Sequence, residues 1–199
     1  MKQHMYFAYG SNLDLLQMKR RCPSSELISK GSLPGYRLTF NRYSSGWGGG
    51  VADVIQDQGS EVWGLIFELS DTDLKRLDRY EGCYKDQTSL YERWKAVIDT
   101  PDGQVCDVWV YTVAEKQKFV KPTLEYLQII KDAAKKWNFP KAYLMLAYLD
   151  ALYEDCGDEI ARRVKWELVD SKLINEVEEQ ALQIAKRIQA RSEELDDSK

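Results

Sequence analysis

The spacing of apolar positions along this 199-residue chain changes several times, and each change predicts an element. Residues 4–9 form a short aromatic-rich apolar run that stops at Gly10, the pattern of a buried strand breaking into a loop. Residues 13–18 then carry helical spacing until Pro23 interrupts it. A turn is expected from Gly31 to Gly35, followed by a half-buried strand in which Tyr36, Leu38 and Phe40 alternate with Arg37 and Thr39. The glycine-rich stretch 44–50 predicts a loop or bend, and residues 51–55 and 62–69 supply two more strands.

Ser70 is placed to cap a short helix, with Asp73 three residues on and Leu69 and Leu74 at the spacing of a hydrophobic staple. Leu74 and Leu77 give that helix one apolar face. Gly82 is suited to end it in a left-handed conformation, which leaves Glu81 at the helix C-terminus. Residues 91–98 and 105–113 read as strands joined by Thr100-Pro101-Asp102-Gly103, so they should pair as a hairpin. After Pro122, Leu124, Leu127, Ile130, Ala134 and Trp137 mark an amphipathic helix over 124–137, and a further helix is expected from Pro140 to about Tyr153. Beyond it, Leu173, Ile174, Val177, Ala181, Ile184, Ala185 and Ile188 form one stripe on a long charged helix, before a polar end at 192–199 that should fray.

Composition narrows the function classes. With 44% hydrophobic and 30% charged residues, and no apolar run long enough to span a bilayer, the expectation is a soluble protein with no membrane partner. The first residues lack the apolar length and cleavage site of a secretory signal, which points to a cytoplasmic location. Cys22, Cys83, Cys106 and Cys156 are scattered, so neither a metal site nor a disulfide framework is expected. A net charge of −4, with basic residues interspersed among acidic ones, argues against a nucleic-acid partner. The sole histidine, His4, lies near the start of the chain, so catalysis by a histidine-assisted nucleophile is disfavoured. Attention therefore falls on carboxylates and backbone amides.

The segment Tyr6-Phe7-Ala8-Tyr9-Gly10-Ser11-Asn12-Leu13 has the form strand, small-residue loop, helix start. Amides at such a junction bind a carboxylate or a developing oxyanion, because Gly10 permits close approach and the helix dipole favours negative charge. On local pattern alone, Gly10-Ser11-Asn12 serves equally as a turn and cap, and Glu81 as a solvated helix end. Tyr6, Tyr9, Tyr111 and Tyr126 suit either a core or a binding site, since a phenol can bury its ring and still offer its hydroxyl. Cys83 has no histidine partner and reads as a small buried filler.

That opening segment resembles the signature of the γ-glutamylcyclotransferase-like family, closest to its γ-glutamylcyclotransferase branch. Further similar segments follow in order. Trp47-Gly48-Gly49-Gly50-Val51-Ala52 resembles the family's glycine-rich segment, Glu61-Val62-Trp63-Gly64 its next strand, and Leu77-Asp78-Arg79-Tyr80-Glu81-Gly82 the segment bearing its catalytic glutamate, here Glu81. Tyr111 and Pro122-Thr123-Leu124-Glu125-Tyr126 are similar to the family's later tyrosine-bearing positions. The likeness covers about residues 6–152, and the segment after about Asp158 is unmatched. Its implications are an α+β fold, a small mixed β-barrel flanked by helices with an extra C-terminal helix. Residues 1–157 would form the catalytic domain, and 158–199 a helical extension packed on it or on a partner, which leaves a homodimer open.

The resemblance further implies a small-molecule γ-glutamyl substrate. In the implied reaction the substrate's α-amine attacks its own γ-carbonyl, giving 5-oxoproline and a free amino acid. Glu81 would be the catalytic acid and base, with Tyr6, Phe7, Ala8, Tyr9, Gly10, Ser11, Asn12, Tyr111 and Tyr126 binding substrate and no metal or organic cofactor. A raised pKa is expected for Glu81 from the helix C-terminus and from apolar Leu77 and Tyr80. Cyclotransferases of γ-glutamylamines or glutathione are alternatives, although the Tyr-Gly-Ser-Asn spelling and the helix after Pro122 argue against both branches. A non-catalytic member binding a partner through the charged C-terminal helix is the other alternative.

Overall fold

The computed structural model describes residues 2–84, 89–140 and 143. The chain divides into two compact units, Met1–Phe139 and Pro140–Lys199. Nearly all of the second unit, with the helices expected after Pro140 and over 158–199, lies outside the described residues.

In the first unit five strands close into a barrel: β1 (Gln3–Ala8), β2 (Glu26–Ser44), β3 (Gly49–Ser70), β4 (Tyr91–Thr100) and β5 (Gly103–Val113), in the order β1-β3-β2-β4-β5. Neighbours are antiparallel except at the closure, where β1 and β5 run parallel with Tyr6 opposite Trp109. Closure of the five strands buries apolar side chains on the sheet, among them Phe7, Phe40, Val62, Leu65, Ile98 and Val110. Three helices flank the barrel: α1 (Leu15–Arg21), α2 (Asp71–Glu81) and α3 (Leu124–Lys136). The α+β class and the small mixed barrel agree with expectation. None of the described helices is long and apolar enough to cross a membrane.

Two strands are far longer than their patterns suggest. The expected turn at Gly31–Gly35 and the strand at 36–40 belong to the single 19-residue β2, and the runs 51–55 and 62–69 both belong to the 22-residue β3. Gly31 pairs with Gly64 inside this ribbon, and a Cβ on Gly31 would sit 2.7 Å from the Asp99 carbonyl oxygen of β4. The glycine marks a close strand crossing and not a reversal. Register shifts at Leu27/Ser29, Pro34/Tyr36 and Phe40/Tyr43 bend the ribbon around the barrel without ending either strand. The reversal itself occupies only residues 45–48.

Helix starts are set by side-chain caps. The run expected to be helical from Leu13 is split: Ser11–Leu13 form one 3-10 turn, and α1 begins after Asp14, whose carboxylate accepts the Leu16 N–H at 2.8 Å. Thr123 caps α3 in the same way. That helix buries Tyr126, Leu127, Ile130 and Ala134, while Leu124 is 39% exposed and Trp137 is the C-cap.

The helix carrying Glu81 follows its local pattern closely. Ser70 Oγ accepts the Asp73 N–H at 3.2 Å, Leu74 and Leu77 are buried, and Gly82 adopts φ 63°, ψ 37°. Beyond the cap, the Cys83 N–H bonds the Asp78 carbonyl at 2.7 Å. Asp73, itself buried, accepts from Ser24 N–H at 2.8 Å and Ser24 Oγ–H at 2.5 Å, which clamps the start of α2 to the loop after α1. Replacing Ser70 with Ala should therefore lower unfolding free energy by about 1 kcal/mol. Gly82→Ala forces an L-residue into the left-handed region and should lower it by ~1–2 kcal/mol. Urea unfolding of each variant, with the denaturant slope unchanged, checks both.

Candidate active site

A cavity of about 130 Å³ opens where the 3-10 turn, the C-terminal ends of α1 and α2, the β2–β3 turn and α3 converge. It receives Tyr6 from β1, Tyr9, Gly10, Ser11 and Asn12 from the following turn, Glu81 from α2, Tyr111 from β5 and Tyr126 from α3. Phe7 and Ala8 are fully buried and do not line it, because they belong to the interior packing of β1.

Glu81, the last residue of α2, keeps only 15% of its side chain exposed. Its Oε1 accepts from Asn12 Nδ2 at 3.2 Å and faces Arg21 Nη1 at 3.4 Å. Asn12 is aimed by its other contacts. Its Oδ1 accepts from Arg21 Nη1 at 2.8 Å and Gln17 Nε2 at 3.2 Å, which turns the amide nitrogen toward Glu81 and the Tyr6 hydroxyl, 2.8 Å away. Asn12 is thus no helix cap: Asp14 has that role, and the 3-10 turn has no side-chain cap.

Burial raises the Glu81 pKa above 4.5, and the Arg21 charge, the Asn12 hydrogen bond and the Arg42 charge hold the rise in check. Leu77 is fully buried as expected, but Tyr80 is 60% exposed and lies under the Arg21 guanidinium, 5.3 Å from Cζ to ring centroid. Burial also raises the phenols of Tyr6, Tyr9, Tyr91, Tyr111 and Tyr126, with Tyr126 pushed up to about 12 and Tyr6 further still, the latter reinforced by the Glu81 charge. All remain neutral hydroxyls at physiological pH.

Tyr126 modifies the anion-binding role expected of the loop amides. Its hydroxyl accepts the Ala52 N–H at 3.1 Å, and the Ser11 amide lies close enough to favour negative charge on the same oxygen. A Cβ on Gly10 would lie 2.9 Å from the same oxygen and 3.2 Å from Ala52 Cβ, so only glycine lets the phenol reach this notch. The Leu13 and Asp14 amides bond the Gly10 and Ser11 carbonyls. With its oxygen accepting the Ala52 N–H, Tyr126 has its own O–H left to donate. Tyr9 and Tyr111 line the cavity with hydroxyls already committed, Tyr9 donating to the Tyr111 carbonyl at 2.5 Å and Tyr111 to Asp78 Oδ1 at 2.6 Å.

A buried carboxylate facing neutral phenols and guanidiniums suits proton transfer on a small polar ligand, and the comparison with known proteins agrees. The model of the family described as gamma-glutamyl cyclotransferase, AIG2-like, matches residues 6–138. The chain belongs to this family. The gamma-glutamylcyclotransferase of Bos taurus is 29% identical over 143 residues, covering 70% of this chain and 74% of the relative, and the Homo sapiens protein of the same name matches equally. A solved structure described as a gamma-glutamyl cyclotransferase superposes with a TM-score of 0.69 at 25% identity, covering 83% of this chain and 99% of that one. This member is an enzyme of the γ-glutamylcyclotransferase type, acting on γ-glutamyl compounds.

Several cavity residues of this family member escape local sequence reading. Arg21 had a readable signal, since Gln17 and Arg21 are four apart on one face of α1 and both donate to Asn12. Arg42 and Tyr91 had none. They meet because β2 and β4 are neighbours in the closed barrel, with the Arg42 guanidinium 5.3 Å over the Tyr91 ring. Trp47, in the β2–β3 turn, packs edge-on against Tyr126 with centroids 5.1 Å apart.

The raised Glu81 pKa has a stability consequence. The folded chain holds this proton more tightly than the unfolded chain, so the contribution is fully present below pH 4.5 and is lost as pH rises through the folded value. Glu81→Gln lacks this loss. Relative to wild type, the variant should gain stability as pH rises from the acid side of 4.5 toward neutrality, read by urea unfolding of both proteins across that range.

Proposed function

We propose that this enzyme converts a γ-glutamyl amino acid or peptide into 5-oxoproline and the free amino acid or peptide, with Glu81 moving the protons. The reading is carried by one observation: a single carboxylate lines the cavity, mostly buried, and Asn12 and Arg21 aim it from two sides. The nucleophile and the electrophile belong to one substrate, so a cavity that holds the glutamyl chain folded supplies most of the advantage of proximity, with effective molarities of ~10⁵ M or more in well-oriented cases.

Ionised Glu81 accepts a proton from the substrate's α-ammonium, and the freed amine attacks the γ-carbonyl carbon. As the tetrahedral centre forms, negative charge gathers on the γ-oxygen. The Tyr6 hydroxyl is a donor for it, since it receives an Asn12 N–H and keeps its own proton. Protonated Glu81 then returns the proton to the departing nitrogen as its carbon–nitrogen bond breaks, and, ionised again, relays the second proton that the ring nitrogen sheds to the released amine, which leaves a neutral five-membered lactam. The proton count balances with no second reactant. On the far wall, the Tyr126 hydroxyl, braced by Ala52 and Ser11, is assigned to the substrate's α-carboxylate. A raised pKa serves both halves of this cycle, because the same group must accept a proton and give it back.

Glu81→Gln keeps the shape and the Asn12 contact but cannot take a proton. It should lower kcat by ~10²–10⁴ with KM within a few-fold of wild type, measured as 5-oxoproline released from γ-glutamylalanine. Turnover near the wild-type rate would refute the assignment.

A further inference from the structure

Among the described residues, three charged side chains line the cavity: Glu81, Arg21 and Arg42. Arg21 is engaged with Asn12 and Glu81, whereas no carboxylate among the described residues pairs with Arg42. The walls therefore carry one positive charge in excess. Arg42 is partly buried near the end of β2; Ser44, two residues on and so on the same strand face, also lines the cavity and leads into the β2–β3 turn, where residues 45, 46 and 48 are exposed, which sets Arg42 toward the rim. The Tyr91 ring beneath it limits the orientations of the guanidinium before any ligand arrives.

Substrate charge can be counted against this excess. In a γ-glutamyl group the α-carboxylate and α-ammonium cancel. A γ-glutamyl conjugate of an α-amino acid has one further carboxylate, on the leaving group, and is a net anion. A conjugate of an alkylamine is neutral. The leaving group is also the part of the substrate that extends outward once the glutamyl chain is folded against Glu81, and the rim is where Arg42 stands.

We propose that Arg42 binds the carboxylate of the departing amino acid and is the residue that selects γ-glutamyl α-amino acids over γ-glutamylamines. This inference rests on the function proposed above. A guanidinium is suited to the task because its planar donors match a carboxylate in two-point contact, and its charge persists at all physiological pH. Partial exposure of the site keeps the effect below that of a fully buried pair.

The test compares γ-glutamylalanine with γ-glutamylethylamide, which differ only in that carboxylate, using the full-length chain. Wild type should favour the alanine conjugate by roughly 10- to 100-fold in kcat/KM, with most of the difference in KM and with the preference shrinking as salt rises. Arg42→Gln should reduce that selectivity ratio by ~10-fold or more, and Arg42→Lys, which keeps the charge but not the planar fork, by less. A wild-type ratio near one overturns the proposal without any variant. An Arg42→Gln protein that loses activity on both compounds equally also overturns it, since the guanidinium would then serve the α-carboxylate or the barrel itself. If wild type releases 5-oxoproline from neither compound, the failure lies in the proposed function, and the inference falls with it.

Discussion

A carboxylate withdrawn from water must be met by donors or take up a proton, and the cavity is organised around that constraint at Glu81. Only 15% of its side chain remains exposed, yet Asn12 and Arg21 stop short of full neutralisation at 3.2 and 3.4 Å. Burial outweighs these contacts, so the group holds its proton more tightly than a surface glutamate. The support is layered. Gln17 and Arg21 from one face of α1 orient Asn12, Asn12 orients Glu81 and Tyr6, and the Ser70 and Gly82 caps fix the helix from which Glu81 projects. Weakening an outer layer disturbs the carboxylate through its neighbours.

Around this group the enzyme places phenols in preference to further charges. Tyr6, Tyr91, Tyr111 and Tyr126 are all shifted toward the neutral form by burial, so they stand beside Glu81 as uncharged hydroxyls. Tyr126 is the clearest case. By sitting in the notch that Gly10 leaves open, its hydroxyl brings α3 against the loop after β1 and takes the Ala52 N–H of β3.

What could be read from the sequence was what short-range chemistry determines. The α2 caps were legible because Ser70 and Gly82 act on their own helix, and the hairpin at 100–103 because its turn residues are adjacent. The long ribbon of β2 and β3 was not, since Gly31 looks like a turn residue until β4 is seen pressing against it. At the cavity, family resemblance located Glu81 and Tyr126, but the role of Asn12 was ambiguous because Asp14, two residues on, is an equally good cap. Arg42 and Tyr91 lie 49 positions apart and meet only through barrel closure, which no local pattern encodes.

The most direct measurement is a crystal structure of the full-length Glu81→Gln protein with γ-glutamylalanine bound. The account predicts a folded glutamyl chain with its α-nitrogen within roughly 3.2 Å of the residue 81 side chain and its γ-carbon within reach of that nitrogen. An extended ligand, or one whose amine faces away from position 81 toward solvent or Arg42, would contradict it.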